Sequence, residues 1–555
     1  MGRKLLITMV HSLLICIAWQ ACAKANLILN LISIHVKQIF TLLLLTLAFG
    51  LHAQERYLDE IFDEVQVTED VEYAANITVI PALQGLPPMQ MPQFMDVYEP
   101  VGDTLTSRPL VLLFHTGNFL PQYANSSALG TRKDSAIVEL ANRFARMGYV
   151  TASVDYRLGW NPLAGTQVER TYQLINAAYR GVQDARTAVR YFRMNAAEMD
   201  NEYGIDPDKI AMFGDGTGGY VTLASATLQD YNDIILTNTG DPIESFWYDP
   251  GDGSYVTMVI EAINGDPEAK NDGFAPDSTQ LCVGHYPDYS SEFNFQMNTG
   301  GAMGSAEWLD GGDVPMVSFH CPHDAYAPYT TGIVVVPVTN EPVIEATGAY
   351  DIHAIINDQE NPNNNEVFQS LELADDISVA ANALNDGMDG LYPVLNNYVD
   401  GEPSEPFDSS PWQWWDVAIT QAVDTANGTN IAATQLSLNP TMGPDEALPW
   451  IDIIQGYTAP RMAAALGLTE TSSGVEDVVN GETFTVYPNP TNGFTTIAFS
   501  SSAPFCSLYS MDGRVVRQWP LIGVEGSFSV DLSTLTGGTY VVQIGYESQL
   551  VSIVR

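Results

Sequence analysis

The middle of the chain alternates short apolar runs with segments of helical periodicity. The runs PLVLLFH (109–115) and YVTASVDY (149–156) are continuously apolar, which is typical of strands buried on both faces. Between them, KDSAIVELANRFARMG (133–148) has a helical pattern and ends at a glycine, a usual helix stop. This stretch therefore predicts a strand, a helix and a second strand.

The same alternation continues downstream. The next segment carries apolar residues at spacings of three, four and three, which places them on one helix face: Val182, Ala185, Val189 and Phe192. KIAMFG (209–214) predicts a strand that leads into a helix from Gly219, and TQLCVGHY (279–286) and VPMVSFH (314–320) predict further strands. The pattern predicts an α/β fold with a mostly parallel sheet covered on both faces. Its functional site should lie at the carboxyl ends of the strands.

Residues 340–447 interrupt this alternation and are rich in Asn, Pro and acidic residues, so we interpret them as an insert. PWQWWD (411–416) places three tryptophans together, either as the core of a flanking subdomain or as an aromatic wall for an apolar or sugar ligand. LPWIDIIQGYTAPRMAAALGL (448–468) predicts the closing helix of the domain, and the polar residues 469–481 a linker.

The first 53 residues hold two apolar runs and no acidic residue. The second run, within VKQIFTLLLLTLAFGLHAQ from Val36, has the basic, apolar and small-residue parts of an export signal. Its apolar stretch from Ile39 to Phe49 is too short to span a bilayer, so we expect no transmembrane segment in the mature chain. We predict a leader over 1–53, with Val36 as the true translation start.

Composition and charge narrow the classes of partner. With 46% hydrophobic and 10% aromatic residues, the composition is that of a globular protein. A formal net charge of −45 argues against nucleic acid and anionic membrane surfaces. We interpret the charge as a hydrated, solubilising surface. Calcium sites are the alternative, but YDPGDGS (248–254) does not match a calcium loop, and we expect no metal or cofactor.

Three cysteines follow the leader, namely Cys282, Cys321 and Cys506. Three cysteines in a chain of this length do not make a disulfide scaffold. Cys282 and Cys321 lie in apolar segments and either pair with each other or remain buried thiols.

From Glu482 to the chain end, short alternating strands and Gly, Asp and Asn turns predict a small all-β sandwich. VYPNPTNG (486–493), LYSMDGRVV (508–516) and LSTLTGGTYVVQI (532–544), with the basic terminal Arg555, resemble the C-terminal sorting domain of the type IX secretion system of Bacteroidetes. The resemblance implies recognition by the secretion machinery, export across the outer membrane and often attachment to the cell surface. An accessory domain that binds carbohydrate is the alternative.

Four segments, in order, resemble the carboxylesterase and hormone-sensitive-lipase-like α/β hydrolases. They are LLFHTGNF (112–119), SVDYRLG (153–159), the run from Val182 to Gly219, and VPMVSFHCPHDAYAPY (314–329). The resemblance implies an α/β-hydrolase domain over residues 54–468 and a ligand that is a small ester or a related apolar molecule.

The resemblance also assigns roles to individual residues. In the nucleophile turn, G-x-S-x-G in the family, Gly214 and Gly218 take the small positions and Gly216 takes the position of the nucleophile. The N–H of Thr217 would bind the oxyanion. The preceding oxyanion segment would complete that hole and the pocket with His115, Thr116, Gly117 and Asn118.

The sequence matches the family's catalytic acid more clearly than its catalytic histidine. Asp324, in HDAYAP, stands at the position of the acid. His353 is the only histidine after it and is either a packed or surface residue or the base of a variant triad. His320 and His323 lie beside the acid and could reach a pocket, though not in the role of the family's histidine.

Two functional hypotheses follow. The first is a secreted ligand-binding protein, or a very slow esterase, on a hydrolase fold without its nucleophile. The second is an active carboxylic-ester hydrolase that uses Thr217 or an activated water, with Asp324 as acid and His353 as base. Thr217 is a poor elbow nucleophile because that position normally requires a positive φ, which is an outlier for a β-branched residue.

Overall fold

The structure is a computed structural model that describes residues 55–336, 341–358, 364–371, 373–399, 402–404, 408–468, 484–498, 505–510, 514–521, 526–544 and 547–554. Its contacts divide the chain into two units, between Thr469 and Glu470. The predicted leader (1–53) and linker (469–481) lie outside the described residues.

An eight-stranded sheet forms the centre of the first unit. Its strands are β1 (Val65–Thr78), β2 (Met89–Pro100), β3 (Arg108–Phe114), β4 (Val150–Val154), β5 (Ile205–Asp215), β6 (Phe295–Thr299), β7 (Met316–His320) and β8 (Leu391–Pro393). The order across the sheet is β1-β2-β4-β3-β5-β6-β7-β8. The first two pairings are antiparallel and the remaining five are parallel. The predicted mostly parallel sheet is confirmed.

Helices cover both faces of this sheet. They are α1 (Ser135–Arg146), α2 (Gln167–Glu198), α3 (Thr217–Thr227), α4 (Tyr231–Ile235), α5 (Glu261–Asn264), α6 (Ala349–Ile356), α7 (Glu366–Gln369), α8 (Asp376–Asn382), α9 (Val417–Asn427), α10 (Ile431–Leu438) and α11 (Pro444–Ala465). Side chains alternate along β3, so that Leu112 and Phe114 pack in one core with α2 and α3. Val111 and Leu113 pack on the other face with α1 and α11.

In the described residues of the first unit, four short hairpins lie outside the main sheet. They pair Trp247–Tyr248 with Val256–Thr257, Gly273–Phe274 with Gln280–Cys282, Gly332–Val336 with Glu341–Ala346, and Tyr398–Val399 with Glu402–Pro403. The strand predicted at 279–286 belongs to one of these hairpins, so its expected place in the main sheet is wrong.

The main sheet uses β6 instead, which the apolar pattern did not predict. Its Gln296 and Asn298 are fully buried, which hides the signature of a buried strand. Their polar groups are satisfied inside the fold, because the Gln296 amide donates to Thr222 Oγ1 (3.0 Å) and the Asn298 amide to Ser318 Oγ (2.9 Å).

The second unit is a sandwich of two antiparallel sheets. Its strands are β9 (Thr485–Tyr487), β10 (Phe494–Ala498), β11 (Phe505–Ser510), β12 (Val515–Pro520), β13 (Ser527–Asp531), β14 (Gly538–Ile544) and β15 (Glu547–Ile553). One sheet has the order β9-β10-β13 and the other β12-β11-β14-β15. Ile497 of the first sheet and Leu508 of the second share one buried core. The predicted small all-β sandwich is confirmed.

Cys282, Cys321 and Cys506 are all buried free thiols. Of the two alternatives for Cys282 and Cys321, the structure has the unpaired one. None of the helices in the described part of the chain is long and apolar enough to cross a membrane.

Candidate functional site

A tight turn at Gly216 joins β5 to α3 at the carboxyl edge of the sheet. Gly216 has φ 51° and ψ −113°, a conformation that strains a residue with a side chain. A Cβ atom on Gly214 would lie 2.1 Å from the carbonyl oxygen of Gly218, and one on Gly218 would lie 2.2 Å from that of Phe114. The strand and the helix therefore cross so closely that both flanking positions require glycine.

The side chain of Thr116 lies against the turn at the place where a nucleophile would be attached. A Cβ atom on Gly216 would lie 2.2 Å from Thr116 Oγ1 and 3.0 Å from Thr116 Cβ. A serine at position 216 would therefore need Thr116 to move. The sequence pattern placed Thr116 in the oxyanion segment, and no signal in it indicated this contact across two loops.

The predicted oxyanion segment follows β3 and reaches the same edge of the sheet. Gly117 and Asn118 have φ values of 125° and 57°, and the Asn118 carbonyl accepts a hydrogen bond from Trp160 Nε1 (2.8 Å). Among the described residues, no acceptor is recorded for the backbone N–H groups of Asn118 and Thr217. Those two groups are free to bind a polar atom of a ligand. His115 is buried and stacks on Tyr156, with ring centroids 4.7 Å apart.

The Thr217 hydroxyl belongs to a hydrogen-bond chain that runs through the Tyr156 hydroxyl to the carbonyl oxygen of His115. Tyr156 donates its hydroxyl proton to the carbonyl oxygen of His115 (2.8 Å), so its oxygen accepts from the Thr217 hydroxyl at 3.1 Å. Burial raises the pKa of Tyr156 above its usual range, so the tyrosine stays neutral. Neither a neutral tyrosine nor a backbone carbonyl can take up the proton of the Thr217 hydroxyl. Thr217 is held as a donor to a neutral tyrosine.

Asp324 lies at the same edge, in the loop that follows β7. Its Oδ1 accepts hydrogen bonds from the N–H groups of Tyr326 (2.8 Å) and Ala327 (3.0 Å). The side chain is only 6% exposed, and burial raises its pKa to about 7 although these two hydrogen bonds act in the opposite direction.

The side chain of His320 lies beside Asp324, with 3.8 Å between Nε2 and Oδ2. The same Nε2 lies 3.1 Å from the carbonyl oxygen of Ala327, to which it donates. Burial lowers the pKa of His320 to about 4, so the ring is neutral near pH 7. His323, which directly precedes Asp324 in the sequence, is exposed.

The structure does not bring His353 to Asp324. His353 lies fully buried in α6, where Nδ1 is 3.2 Å from the carbonyl oxygen of Asp389. A Cβ atom on Gly390 would touch both His353 Cε1 (3.0 Å) and the carbonyl oxygen of Met316 (2.3 Å). Met316 is the first residue of β7, whereas Asp324 follows the last. The two side chains are at opposite ends of that strand, and burial lowers the pKa of His353 to about 4.

Asp215, next to the turn, is bound by the tryptophan-rich segment. Its Oδ1 accepts from Trp412 Nε1 (2.8 Å) and from Thr299 Oγ1 (2.7 Å), and its Oδ2 from the Gln413 amide. Trp412 is 1% exposed, in the core on the α1 side of the sheet. Burial raises the pKa of Asp215 to about 6. Of the two interpretations of this segment, the structure favours core packing for Trp412.

A cavity of about 230 Å³ lies beside the turn and the acid. Polar groups from four segments line it, namely Thr116, Asn118, Thr217, Tyr220, Asp324, Tyr326, Ser409 and Ser410. Most of the remaining lining is aliphatic or aromatic, including Phe119, Leu174, Val182, Leu228, Phe246 and Trp308. Such a surface suits a small, largely apolar molecule with a polar end.

Two buried polar atoms of the lining have no hydrogen-bond partner, the Tyr220 hydroxyl and Trp308 Nε1. Sequence reasoning missed both. Tyr220 is four residues beyond Gly216 on α3, so helical spacing could have indicated it. Trp308 lies in a short 3₁₀ turn, and no pattern pointed to it. Among the described residues, no cluster of three or more His, Cys, Asp or Glu side chains could hold a metal ion.

Two protein-family models match the chain. The BD-FAE model matches residues 95–246, and the model for a secretion system C-terminal sorting domain matches residues 485–554. The chain has an esterase-like α/β-hydrolase domain and a sorting domain. The sorting domain directs it through type IX secretion to the cell surface or outside the cell. The BD-FAE match includes the turn at Gly216 and ends before Asp324.

No curated protein matches the chain. Among solved structures, esterase 2 of Thermogutta terrifontis phosphorylated by paraoxon is 18% identical with a TM-score of 0.27, over 48% of this chain and 73% of that one. A truncated carbohydrate esterase from gut microbiota is 14% identical with a TM-score of 0.26, over 49% and 81%. The α/β hydrolase MGS-M1 from a Medee basin deep-sea metagenome library is 13% identical with a TM-score of 0.25, over 48% of this chain and 73% of that one. Values this low support no conclusion about the chemistry of this chain.

Proposed function

We propose that this chain is an exported ligand-binding protein on an esterase-like fold, with at most residual ester hydrolysis. The observation that carries the proposal is the pair Gly216 and Thr116. The nucleophile position has no side chain, and the Thr116 hydroxyl lies 2.2 Å from where its Cβ would be. The space for the reacting group is thus taken by a residue of the oxyanion segment.

The absence of a base supports the same proposal. The sequence has no histidine after His353, and the loop that follows β8 contributes Ser409 and Ser410 to the cavity. Acyl transfer needs a group that takes the proton of the nucleophile and returns it to the leaving group. Neither serine can act as that base, and Thr217 is engaged as a donor to Tyr156.

Magnitudes decide between a slow enzyme and a binding protein. Losing the nucleophile of a serine hydrolase costs about 10⁶ in kcat, and the remaining oxyanion hole and binding give about 10³–10⁴ over water. Turnover at that level is far below the turnover of a working serine esterase. Binding, by contrast, needs only the cavity and its unpartnered Tyr220 and Trp308 donors.

We propose the domain boundaries on the same basis. Residues 54–468 would be the ligand-binding domain, which includes the insert at 340–447, and residues 469–481 its linker. The sorting domain would begin at residue 482 and bring the chain to the secretion machinery. Residues 1–53 would be a leader that is removed on export.

A covalent trap tests the proposal. We would incubate the purified chain with a fluorophosphonate and measure intact mass, with a serine esterase as positive control. We expect no adduct, because the part of the chain that the structure describes shows no hydroxyl activated by a base. A stoichiometric adduct that maps to Thr217 or Thr116 would contradict the proposal and would favour an active hydrolase with a variant nucleophile.

A further inference from the structure

Among the described residues, the cavity beside Gly216 is lined by an acidic side chain and by no basic one. Its lining includes one side chain that ionises near neutral pH as an acid, Asp324, and no lysine, arginine or histidine from the described part of the chain. Most other lining side chains are aliphatic or aromatic. An ionised carboxylate in such a place is costly unless a cation or several donors compensate it.

Only one oxygen of Asp324 is compensated by the protein. Oδ1 accepts the N–H groups of Tyr326 and Ala327, whereas no hydrogen bond to Oδ2 is recorded among the described residues. The side chain is nevertheless 94% buried, since its exposure is 6%. Oδ2 is an acceptor without a donor, at the wall of an apolar cavity.

His320 and His353 do not supply the missing cation. His320 Nε2 lies 3.8 Å from Oδ2 and donates to the Ala327 carbonyl instead, and burial lowers the pKa of that ring to about 4. His353 lies at the other end of β7. Asp408 also interacts with Asp324, but as a second negative charge that raises its pKa.

We propose that the cavity binds an organic amine, whose ammonium group pairs with Asp324 Oδ2 and whose apolar body fills the rest of the space. This inference rests on the proposed ligand-binding function and names the class of ligand. The ammonium group takes the place of the cation that a triad histidine would have supplied next to the acid. The Tyr220 hydroxyl has no hydrogen-bond partner and offers the ammonium group a second acceptor. Burial, and then the charge of Asp324, raise the pKa of this hydroxyl, so it stays neutral.

The size and the aromatic content of the cavity limit the amine. A cavity of about 150 Å³ holds one benzene molecule, so about 230 Å³ holds a ring with a short chain. The cavity lining also includes the aromatic rings of Tyr220 and Tyr326, and a cation is favoured near the face of such a ring. A carboxylate ligand would be repelled by Asp324, and a neutral ligand would leave Oδ2 unpaired.

The experiment compares three probes of one shape by calorimetry at pH 8, where both Asp324 and the amine are ionised. They are 2-phenylethylamine, 2-phenylethanol and 3-phenylpropionate, each titrated into the full purified chain. Asp324→Asn tests the carboxylate, because an asparagine Oδ1 can still accept both backbone N–H groups. Asp313→Asn is the matched control, since Asp313 is buried, has a pKa raised by burial to about 7 and does not line the cavity.

We expect the amine to bind at least about tenfold more tightly than the alcohol, the usual gain for a charge-assisted hydrogen bond. Asp324→Asn should remove that gain and leave binding of the alcohol unchanged, while Asp313→Asn should change neither. Equal binding of amine and alcohol, preference for the carboxylate, or no binding of any probe would overturn the amine assignment. Ester turnover by the same preparation would overturn the proposed function instead, so the two failures are distinguishable.

Discussion

The two halves of the candidate site differ in what they retain. The elbow half, made of residues 115–118 and 214–218, keeps the close crossing of strand and helix and the free N–H groups beside it. The acid half, made of the loops after β7 and β8, keeps the carboxylate of Asp324 without a histidine beside it in the triad role. Geometry persists in one half and a charge in the other, and under the proposed function neither half holds the group that would react.

The difference has a physical reason. The crossing at Gly214 and Gly218 is part of the packing of the sheet, so its loss would cost the fold itself. A nucleophile at position 216 and a histidine over Asp324 serve only the reaction, and a side chain at a positive φ costs on the order of 1–3 kcal/mol. A hydrolase frame can therefore lose its chemistry without losing its cavity.

The largest expected effect is the loss of stability caused by a substitution in the elbow half. Gly214→Ala places a Cβ atom 2.1 Å from the backbone oxygen of Gly218, which cannot move without shifting α3. We expect destabilisation of more than about 4 kcal/mol, or failure to fold, measured by thermal unfolding with circular dichroism. Gly165→Ala is the matched control, because a Cβ atom there meets nothing within 4 Å. A native melting temperature for Gly214→Ala would contradict the close crossing.

The next effect is a pH dependence of the free energy of unfolding that comes from Asp324 in the acid half. Burial raises the pKa of Asp324 to about 7, above the unfolded value of about 4, so the folded protein holds a proton that the unfolded chain releases between these values. Stability from this group is therefore full below about pH 4 and is lost as the pH rises to 7. Asp324→Asn lacks the penalty and should gain up to about 4 kcal/mol relative to the parent at pH 8, and nothing at pH 4. Urea unfolding at both pH values measures the gain. A constant difference would contradict the buried carboxylate.

The smallest effect couples the two segments of the elbow half. Gly216→Ser should destabilise by about 1–3 kcal/mol because of its positive φ, and further because of Thr116. Adding Thr116→Gly should recover part of that loss, with a coupling of about 0.5–3 kcal/mol in a double-mutant cycle. Ester hydrolysis should stay at the residual level in both variants, since no base within the described residues faces position 216. Fast turnover in the double variant would reveal a base in the acid half.

Much of the fold follows from local patterns. The apolar runs that became β3, β4, β5 and β7 identify the parallel sheet because those strands are buried on both faces. The polar interior of β6 could not be predicted, because Gln296 and Asn298 find partners only after the chain has folded. The same limit applies to the hydrogen bond from Trp412 to Asp215, which joins residues about 200 positions apart.

The candidate site was predictable where it depends on the backbone and not where it depends on contacts between loops. The glycine spacing at 214–218 indicates the turn, and its positive φ at Gly216 follows from the same motif. The contact of Thr116 with that turn and the position of His353 at the opposite end of β7 required the three-dimensional structure. Distances between separate loops leave no periodic signal in a sequence.

Turnover of p-nitrophenyl acetate, butyrate and octanoate by the purified chain tests the central claim most directly. The measurement is made beside Thr217→Ala and Asp324→Ala versions that are shown to be folded. Ligand binding without hydrolysis predicts rates no higher than the residual level of an oxyanion hole, equal in all three proteins. Turnover well above that level in the parent, lost in either variant, would contradict the account and identify a working esterase with a displaced nucleophile.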